Sequence, residues 1–186
     1  MSKLTLDEAK EILKKHTTEE HLLIHAAAVS AAMGAMADHF HADKDHWQAI
    51  GYLHDVDYQK FPEEHCKHVR ELLEPEGVDE EDIKNIISHG YGSCTDEVEP
   101  TTDLQKSLFA VDELTGIVHA YALMRPEKMD GMAVKSLKKK FKDKRFAAGC
   151  NRDIITLGAE KLGMDLSVLM QCCIDGMTEH KAELGF

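Results

Sequence analysis

Apolar residues recur along most of the chain at steps of three and four, which is the spacing of an amphipathic α-helix. In the stretch that follows Thr17, for example, Leu22, Val29 and Met36 fall on one helical face. The sequence has no alternating β-branched runs bounded by hairpin turns, which would be typical of strands. The pattern therefore predicts an all-α fold, a bundle of about eight to nine helices.

Turn and capping signals divide the periodic stretches. Thr17 followed by Glu20 resembles a capping box, and Pro62 stands where a first-turn proline would begin a helix. Without a long linker or an internal repeat, we expect residues 1–186 to form a single domain. The predicted helices cover residues 4–15, 17–39, 45–55, 62–74, 79–88, 103–124, 134–141, 151–162 and 165–184.

Composition narrows the class of protein. Hydrophobic residues make up 43% of the chain and charged residues 30%, which is typical of a folded globular protein. The first residues lack the apolar run of a secretory signal, and no stretch approaches the ~18 apolar residues of a membrane span. The five cysteines show no CxxC spacing. We therefore expect a cytoplasmic protein with reduced thiols and no membrane partner.

The formal net charge of -12 bears on partners. A strongly acidic chain repels the phosphate backbone of a nucleic acid polymer, so we expect no such partner. A small phosphorylated ligand remains compatible with this charge if basic residues are concentrated locally. The long apolar C-terminal stretch is compatible with a monomer or a homodimer.

The chemistry begins with the dipeptide His54-Asp55, at the end of a predicted apolar helix. It offers a neutral nitrogen ligand beside a carboxylate, and a carboxylate can bridge two cations. On its own the pair also fits a surface histidine beside a capping aspartate. Asp57 and Lys60 follow closely and are candidate supporting groups in catalysis.

Other residues strengthen the metal interpretation. His25 shares the apolar side of its helix, where it is either a ligand or a hydrogen-bonded core histidine. Asp112 follows Leu108 and Phe109 by about one turn. A carboxylate on an apolar face needs a cation or several donors, so Asp112 is either a metal ligand or half of a buried salt bridge.

Two more histidines are candidates for a second metal. His65 and His68 share the fourth predicted helix, and His65 lies nearer its apolar line. His89 ends the fifth predicted helix and leads into a glycine-containing loop, a common location for a ligand at a cleft. Each histidine alone also fits a structural or solvated role.

The order His25, His54-Asp55, His65, His89, Asp112 resembles the H…HD…H…H…D signature of the HD-domain metal phosphohydrolases. The stretches HDVDYQKFPEEH, AVDELTG and VKSLKKKFKDKRFAAGCNRD are similar to a subgroup of small bacterial HD proteins. The resemblance spans most of residues 18–180 and is consistent with the all-α prediction. It says little about the substrate.

The resemblance also implies a site and a mechanism. One divalent ion would be held by His25, His54, Asp55 and Asp112, and a second by His65 and His89, with Asp55 bridging. Metal-activated water would then attack the phosphorus of a nucleotide or another small phosphate ester. His54 and Asp55 would be central to catalysis. Manganese, iron, cobalt, nickel and zinc all remain possible.

A basic segment supplies candidate substrate contacts. Residues 135–145, KSLKKKFKDKR, concentrate positive charge in an acidic chain. We predict that Lys135, Lys139 and Arg145 bind the anionic substrate, although a solvated helix face would show the same pattern.

Three functions compete at this stage. The first is a metal-dependent phosphohydrolase, either a phosphatase or a phosphodiesterase. The second is a di-iron oxygenase, because some proteins of this fold activate oxygen. The third is a non-catalytic sensor that keeps a metal for stability. Metal content, oxygen consumption and turnover distinguish them.

Overall fold

The computed structural model describes residues 3–186. Over that range the regular elements are α-helices and short 3₁₀ turns, which confirms the all-α prediction. The only strand-like pairing described is an isolated bridge between Tyr91 and Thr95. The helices are α1 (Leu6–Lys14), α2 (Glu20–His39), α3 (Lys44–Leu53), α4 (Val69–Leu73), α5 (Glu80–Ile87), α6 (Asp103–Met124), α7 (Val134–Lys142), α8 (Arg152–Leu162) and α9 (Leu166–Glu179).

Helix α2 lies at the centre and packs against α3, α6 and α9. Its residues 26–34 are mostly alanine and are all buried, as expected for a helix that is apolar on every side. Small residues let its neighbours approach closely. The Cβ atom that Gly176 of α9 lacks would lie only 2.3 Å from the carbonyl oxygen of Ala31.

Length and hydropathy alone would let α2 cross a membrane, and it is the one helix in residues 3–186 of which this is true. However, 61% of its apolar stretch is buried within the protein. The central helix of a folded core meets the same criteria, so this is weak support for a membrane span.

Helix α6 is the second long element. Thr102 and Gln105 form a capping box at its start. Helix α8 packs closely on α6 at Gly158. A Cβ atom at this position would lie only 2.6 Å from the Cα of Ala110, so the close approach requires glycine. Together α2 and α6 form the rigid frame on which the candidate site is built.

The predicted capping box at Thr17 was wrong. Helix α2 begins at Glu20 and no side chain caps it. Instead, Gln59 accepts hydrogen bonds from the backbone N–H groups of Thr18 and Glu19, at 2.8 and 3.0 Å. A residue 40 positions away thus accepts hydrogen bonds from the backbone that leads into α2.

The predicted helix over residues 62–74 was also wrong. A 3₁₀ turn covers Pro62–Glu64, and α4 begins only at Val69. Between them Cys66 has a φ of 75°, in the left-handed region that is incompatible with a continuous helix. His65 and His68 therefore do not share a helix.

The other helix predictions agree with the structure to within about two residues, except at the C-terminus. Helix α9 ends at Glu179, and a separate 3₁₀ turn covers Lys181–Leu184. Helix α3 ends at Leu53, so that His54 is its C-terminal cap.

Candidate metal centre

His54 is fully buried at the end of α3, and its ring orientation is fixed by the backbone. Its Nδ1 lies 2.7 Å from the carbonyl oxygen of Gly51, one turn earlier. A carbonyl oxygen only accepts, so Nδ1 carries the proton and the neutral ring presents the lone pair of Nε2. This arrangement is typical of histidines that bind a metal.

Nε2 of His54 faces three other ligand-type side chains, and we call these four residues the first cluster. His25 comes from α2, Asp55 follows His54, and Asp112 comes from α6. Nε2 of His54 lies 3.1 Å from both His25 Nε2 and Asp112 Oδ1, and 3.2 Å from Asp55 Oδ2. His25 Nε2 lies 3.0 Å from Asp112 Oδ1. His21, one turn before His25, is 75% exposed and points away.

His65 and His89 form a second pair on the other side of Asp55. Their Nε2 atoms lie 3.1 Å apart. Each ring is oriented by a hydrogen bond from its Nδ1. Nδ1 of His65 donates to the Asp57 carboxylate at 2.7 Å, and Nδ1 of His89 donates to the Ile86 carbonyl oxygen at 2.6 Å. The same tautomer as in His54 therefore presents both Nε2 lone pairs.

Asp55 connects the two groups. Its Oδ2 faces the first cluster, while its Oδ1 lies 3.0 Å from His65 Nε2 and 3.3 Å from His89 Nε2. One carboxylate is thus placed to contact two cations at once, as the sequence comparison implied.

The carboxylates at the centre of the site change the pKa values of the histidines beside them. Burial lowers the pKa of His54, but Asp55 and Asp112 outweigh it and hold that pKa well above its ordinary value. Burial lowers the pKa of His65 as well, and hydrogen bonds to Asp55 and Asp57 raise it to about 10. Burial raises the pKa of Asp112, but His54 and His25 hold it far below its usual range.

Positive charge is therefore required at the centre, as bound protons or as metal ions. Imidazole nitrogens oriented by Nδ1 hydrogen bonds, with carboxylates beside them, are the donor set that first-row divalent ions prefer. The residues present fit such ions, with His25, His54, Asp55 and Asp112 around one and His65 and His89 around another.

The cluster opens into a cavity of about 370 Å³. Among the described residues that line it there is no lysine or arginine. A larger groove of about 670 Å³ lies between α1 and residues 76–82, but none of the clustered histidines lines it. The smaller cavity is therefore the candidate site. Besides the ligands named above, its lining includes Tyr58, Gly90, Ser93, Cys94, Glu113, Gly116, Cys150 and Ile154.

Asp57 supports the site from behind. It is fully buried, and besides accepting from His65 its carboxylate accepts the backbone N–H of His68 at 3.1 Å. These two hydrogen bonds stabilise the non-helical segment between residues 65 and 68. Asp57 does not line the cavity, so we infer that it orients His65 and does not contact a ligand itself.

The basic residues predicted at the site lie elsewhere. The ammonium group of Lys60 lies 2.8 Å from His16 Nδ1. Lys135 and Lys139 are exposed on α7, because Leu137 faces the core, and the Arg145 side chain is 95% exposed. None of the four lines the cavity. Their roles in catalysis and substrate binding stay predictions without support from this geometry.

Sequence reasoning missed several lining residues. Glu113 follows Asp112 directly, and its pKa is raised by burial and by the charge of Asp112. Cys94 lies five residues after His89 in a loop whose glycines were the only signal. The cysteines had been interpreted only as reduced thiols.

Comparison with known families agrees with this geometry. The model of the HD domain matches residues 22–117, just over half of the chain. The chain belongs to the HD-domain family. The HD-domain match runs from α2 to α6 and contains all six predicted metal ligands, and the superfamily consists largely of metal-dependent phosphohydrolases. No match was found among curated proteins or among solved structures.

Proposed function

We propose that this HD-domain protein is a metal-dependent phosphohydrolase that cleaves a small phosphate ester. The observation that carries the proposal is the convergence of four imidazole Nε2 atoms on Asp55 and Asp112. Lone pairs and carboxylates face one another there, an arrangement that cations stabilise. We propose a nucleotide or another small phosphorylated molecule as the substrate.

When bound, divalent ions supply Lewis-acid polarisation of a phosphoryl oxygen and lower the pKa of water. The protein's own residues fix the geometry for this chemistry. His54, His65 and His89 are locked in one tautomer by Gly51, Asp57 and Ile86. Asp55 links the two halves of the centre, since its Oδ2 faces His54 and its Oδ1 faces His65.

Glu113 is the lining residue best suited to exchange a proton with the leaving group. Its carboxyl lies in the cavity beside Asp112, and its raised pKa favours the protonated form. The backbone N–H of Asn151 donates to its Oε2 at 3.3 Å, which orients it. A positioned carboxylic acid of this kind typically contributes about 10²–10⁴-fold to a proton transfer.

The cavity bears on substrate size and charge. A cavity of about 370 Å³ suits a small molecule and not a polymer. Because no lysine or arginine was found in the described lining, an anionic substrate would depend on the bound cations for its counter-charge.

That same feature favours a second candidate, a di-iron oxygenase. A lining without fixed positive charge is also suitable for an uncharged substrate, and histidines with a bridging carboxylate are ligands for iron. Iron content together with oxygen consumption distinguishes the two functions.

The test is hydrolysis by protein loaded separately with manganese, iron, cobalt or zinc, against a panel of nucleotides and small phosphomonoesters and phosphodiesters. We expect metal-dependent phosphate release that Asp55→Ala abolishes. His21→Ala is the matched control, since His21 lies one turn from His25 and is exposed. Hydrolysis that persists in metal-free Asp55→Ala protein would contradict the proposal.

A further inference from the structure

Two cysteine thiols lie beside His65 and His89 and have no role in the function proposed above. Cys66 Sγ lies 3.8 Å from His89 Nε2, and Cys94 Sγ lies 3.6 Å from Cys66 Sγ. The ligand atoms of His65, Cys66 and His89 all lie within 4.8 Å of one another, whereas Cys94 Sγ lies outside this group. Both cysteines are free thiols.

The backbone holds Cys66 in an unfavourable conformation. Its φ of 75° lies in the left-handed region, which favours glycine and disfavours a residue with a Cβ. Such outliers concentrate at functional sites, where the surrounding structure maintains them. Glycine would adopt this conformation more easily but has no thiol. We therefore attribute the cysteine at this position to its sulfur.

Gly90 makes room for both sulfur atoms. The Cβ that Gly90 lacks would lie 2.7 Å from Cys66 Sγ and 2.9 Å from Cys94 Sγ. Its carbonyl oxygen accepts the backbone N–H groups of Ser93 and Cys94, each at 3.0 Å. The loop is thus closed on itself, and Cys94 is held against Cys66.

Three of the distances in this group match those between neighbouring ligands of a tetrahedral ion. With metal–sulfur bonds of ~2.3 Å and metal–nitrogen bonds of ~2.0–2.1 Å, neighbouring ligands lie ~3.8 Å apart for two sulfurs, ~3.6 Å for sulfur and nitrogen, and ~3.3 Å for two nitrogens. The corresponding distances here are 3.6 Å between the thiols, 3.8 Å from Cys66 to His89, and 3.1 Å from His65 to His89.

We propose that Cys66 completes a mixed sulfur–nitrogen metal site with His65 and His89, and that Cys94, whose Sγ contacts Cys66 Sγ, turns toward the same ion when it binds. We call these four residues the second cluster. The inference rests on the metal centre of the proposed function and specifies its second half. Thiolate ligands select zinc, or another thiophilic ion, over magnesium and manganese. Asp55 Oδ1 stays within 3.3 Å of both imidazole nitrogens, so it remains in reach of the same ion.

The experiment is a titration of reduced, metal-free protein with Co²⁺, followed by near-ultraviolet absorption. Sulfur-to-cobalt charge transfer should give an intense band in the wild-type protein. Cys66→Ser and Cys94→Ser should each lower its intensity by about half or more, because each removes one of two metal–sulfur bonds. Cys172→Ser is the control and should leave the band unchanged, since Cys172 lies in α9 and belongs to neither group of clustered ligands.

Each outcome has a distinct meaning. Cobalt that binds without a charge-transfer band would overturn the sulfur site, as would a band that either variant leaves unchanged. Neither result touches the phosphohydrolase proposal, which phosphate release tests separately. If no cobalt binds, both proposals fail.

A variant that does not fold would not leave the question open. X-ray absorption of the zinc-loaded wild-type protein needs no substitution and should detect sulfur at ~2.3 Å from the metal. A coordination shell of nitrogen and oxygen alone would overturn the inference.

Discussion

The two clusters on either side of Asp55 are built on different kinds of backbone. In the first, His25 projects from the second turn of α2, Asp112 from the middle of α6, and His54 caps α3. In the second, His65 follows one 3₁₀ turn and His89 lies within another. Cys66 is in a left-handed conformation, and Cys94 lies in a loop.

This difference affects how each cluster is stabilised. Helix packing fixes the first, since α2 and α6 are in contact with each other and with much of the core. The second depends on a few local hydrogen bonds, chiefly those accepted by Asp57 and by the carbonyl oxygens of Ile86 and Gly90. We therefore expect the first cluster to tolerate local changes that disorganise the second.

The largest expected effect comes from removing a ligand of the first cluster. Asp112→Ala should lower hydrolysis by about 10³-fold, because metal catalysis contributes several kcal/mol to transition-state stabilisation. Metal content should fall by about one ion per chain, leaving the second cluster loaded. Elemental analysis and phosphate release measure both. Loss of both ions from Asp112→Ala would show that the two clusters do not bind independently.

Asp57→Ala should affect the second cluster alone. It removes the acceptor that orients His65, and changes to such supporting groups typically weaken metal binding about 10- to 100-fold. Competition with a chelator measures the affinity of each ion. Asp57→Asn is the matched control, since its amide oxygen can still accept one hydrogen bond. An equal loss of affinity in both clusters would contradict the division between them.

Gly176→Ala tests the helical frame around α2. Its new Cβ would overlap the Ala31 carbonyl, so we expect the free energy of unfolding to fall by about 1–3 kcal/mol. Urea unfolding of the metal-free protein gives this value. Gly149→Ala is the control, because its Cβ would meet nothing within 4 Å. Equal stability of the two variants would show that α2 and α9 are less tightly packed than described.

Metal affinity should rise with pH. In the metal-free protein the pKa of His65 is raised to about 10, so below that pH a binding ion must displace its proton. Each displaced proton makes the apparent affinity increase by about tenfold per pH unit until the ring is neutral. Chelator competition between pH 6 and 9 measures the slope. A flat profile would show that His65 is already neutral before metal binds.

The smallest effect is expected at the basic helix. Lys139 is exposed on α7 and does not line the cavity, so Lys139→Ala should change KM by less than about twofold, as a screened surface charge does. A larger rise in KM would restore the substrate contact that the sequence suggested.

The long helices could be predicted from the sequence, as could residues that the structure brings together in the first cluster, for a physical reason. Helical periodicity places residues on faces, and it put His25 on the apolar side of α2, where it faces Asp112. A buried carboxylate such as Asp112 is costly without a cation, which made it recognisable in an apolar stretch.

The remaining features depend on contacts between distant residues. Nothing near Thr17 reveals that Gln59 accepts hydrogen bonds from the backbone just before α2. Nothing in residues 62–74 reveals that Asp57 accepts hydrogen bonds from His65 and His68. The Cys66–Cys94 pair likewise depends on the space left by Gly90. The lysines of α7 show in the sequence that this segment is basic, but the sequence does not show how far the segment lies from the cavity.

The most direct test of the account is elemental analysis of wild-type and Asp55→Ala protein, both purified without chelator and then reconstituted with divalent metal. Because Asp55 faces both clusters, wild-type protein should hold about two ions per chain and Asp55→Ala protein should lose affinity for both. Wild-type protein that binds no metal, or Asp55→Ala protein that retains both ions, would contradict a centre bridged by Asp55.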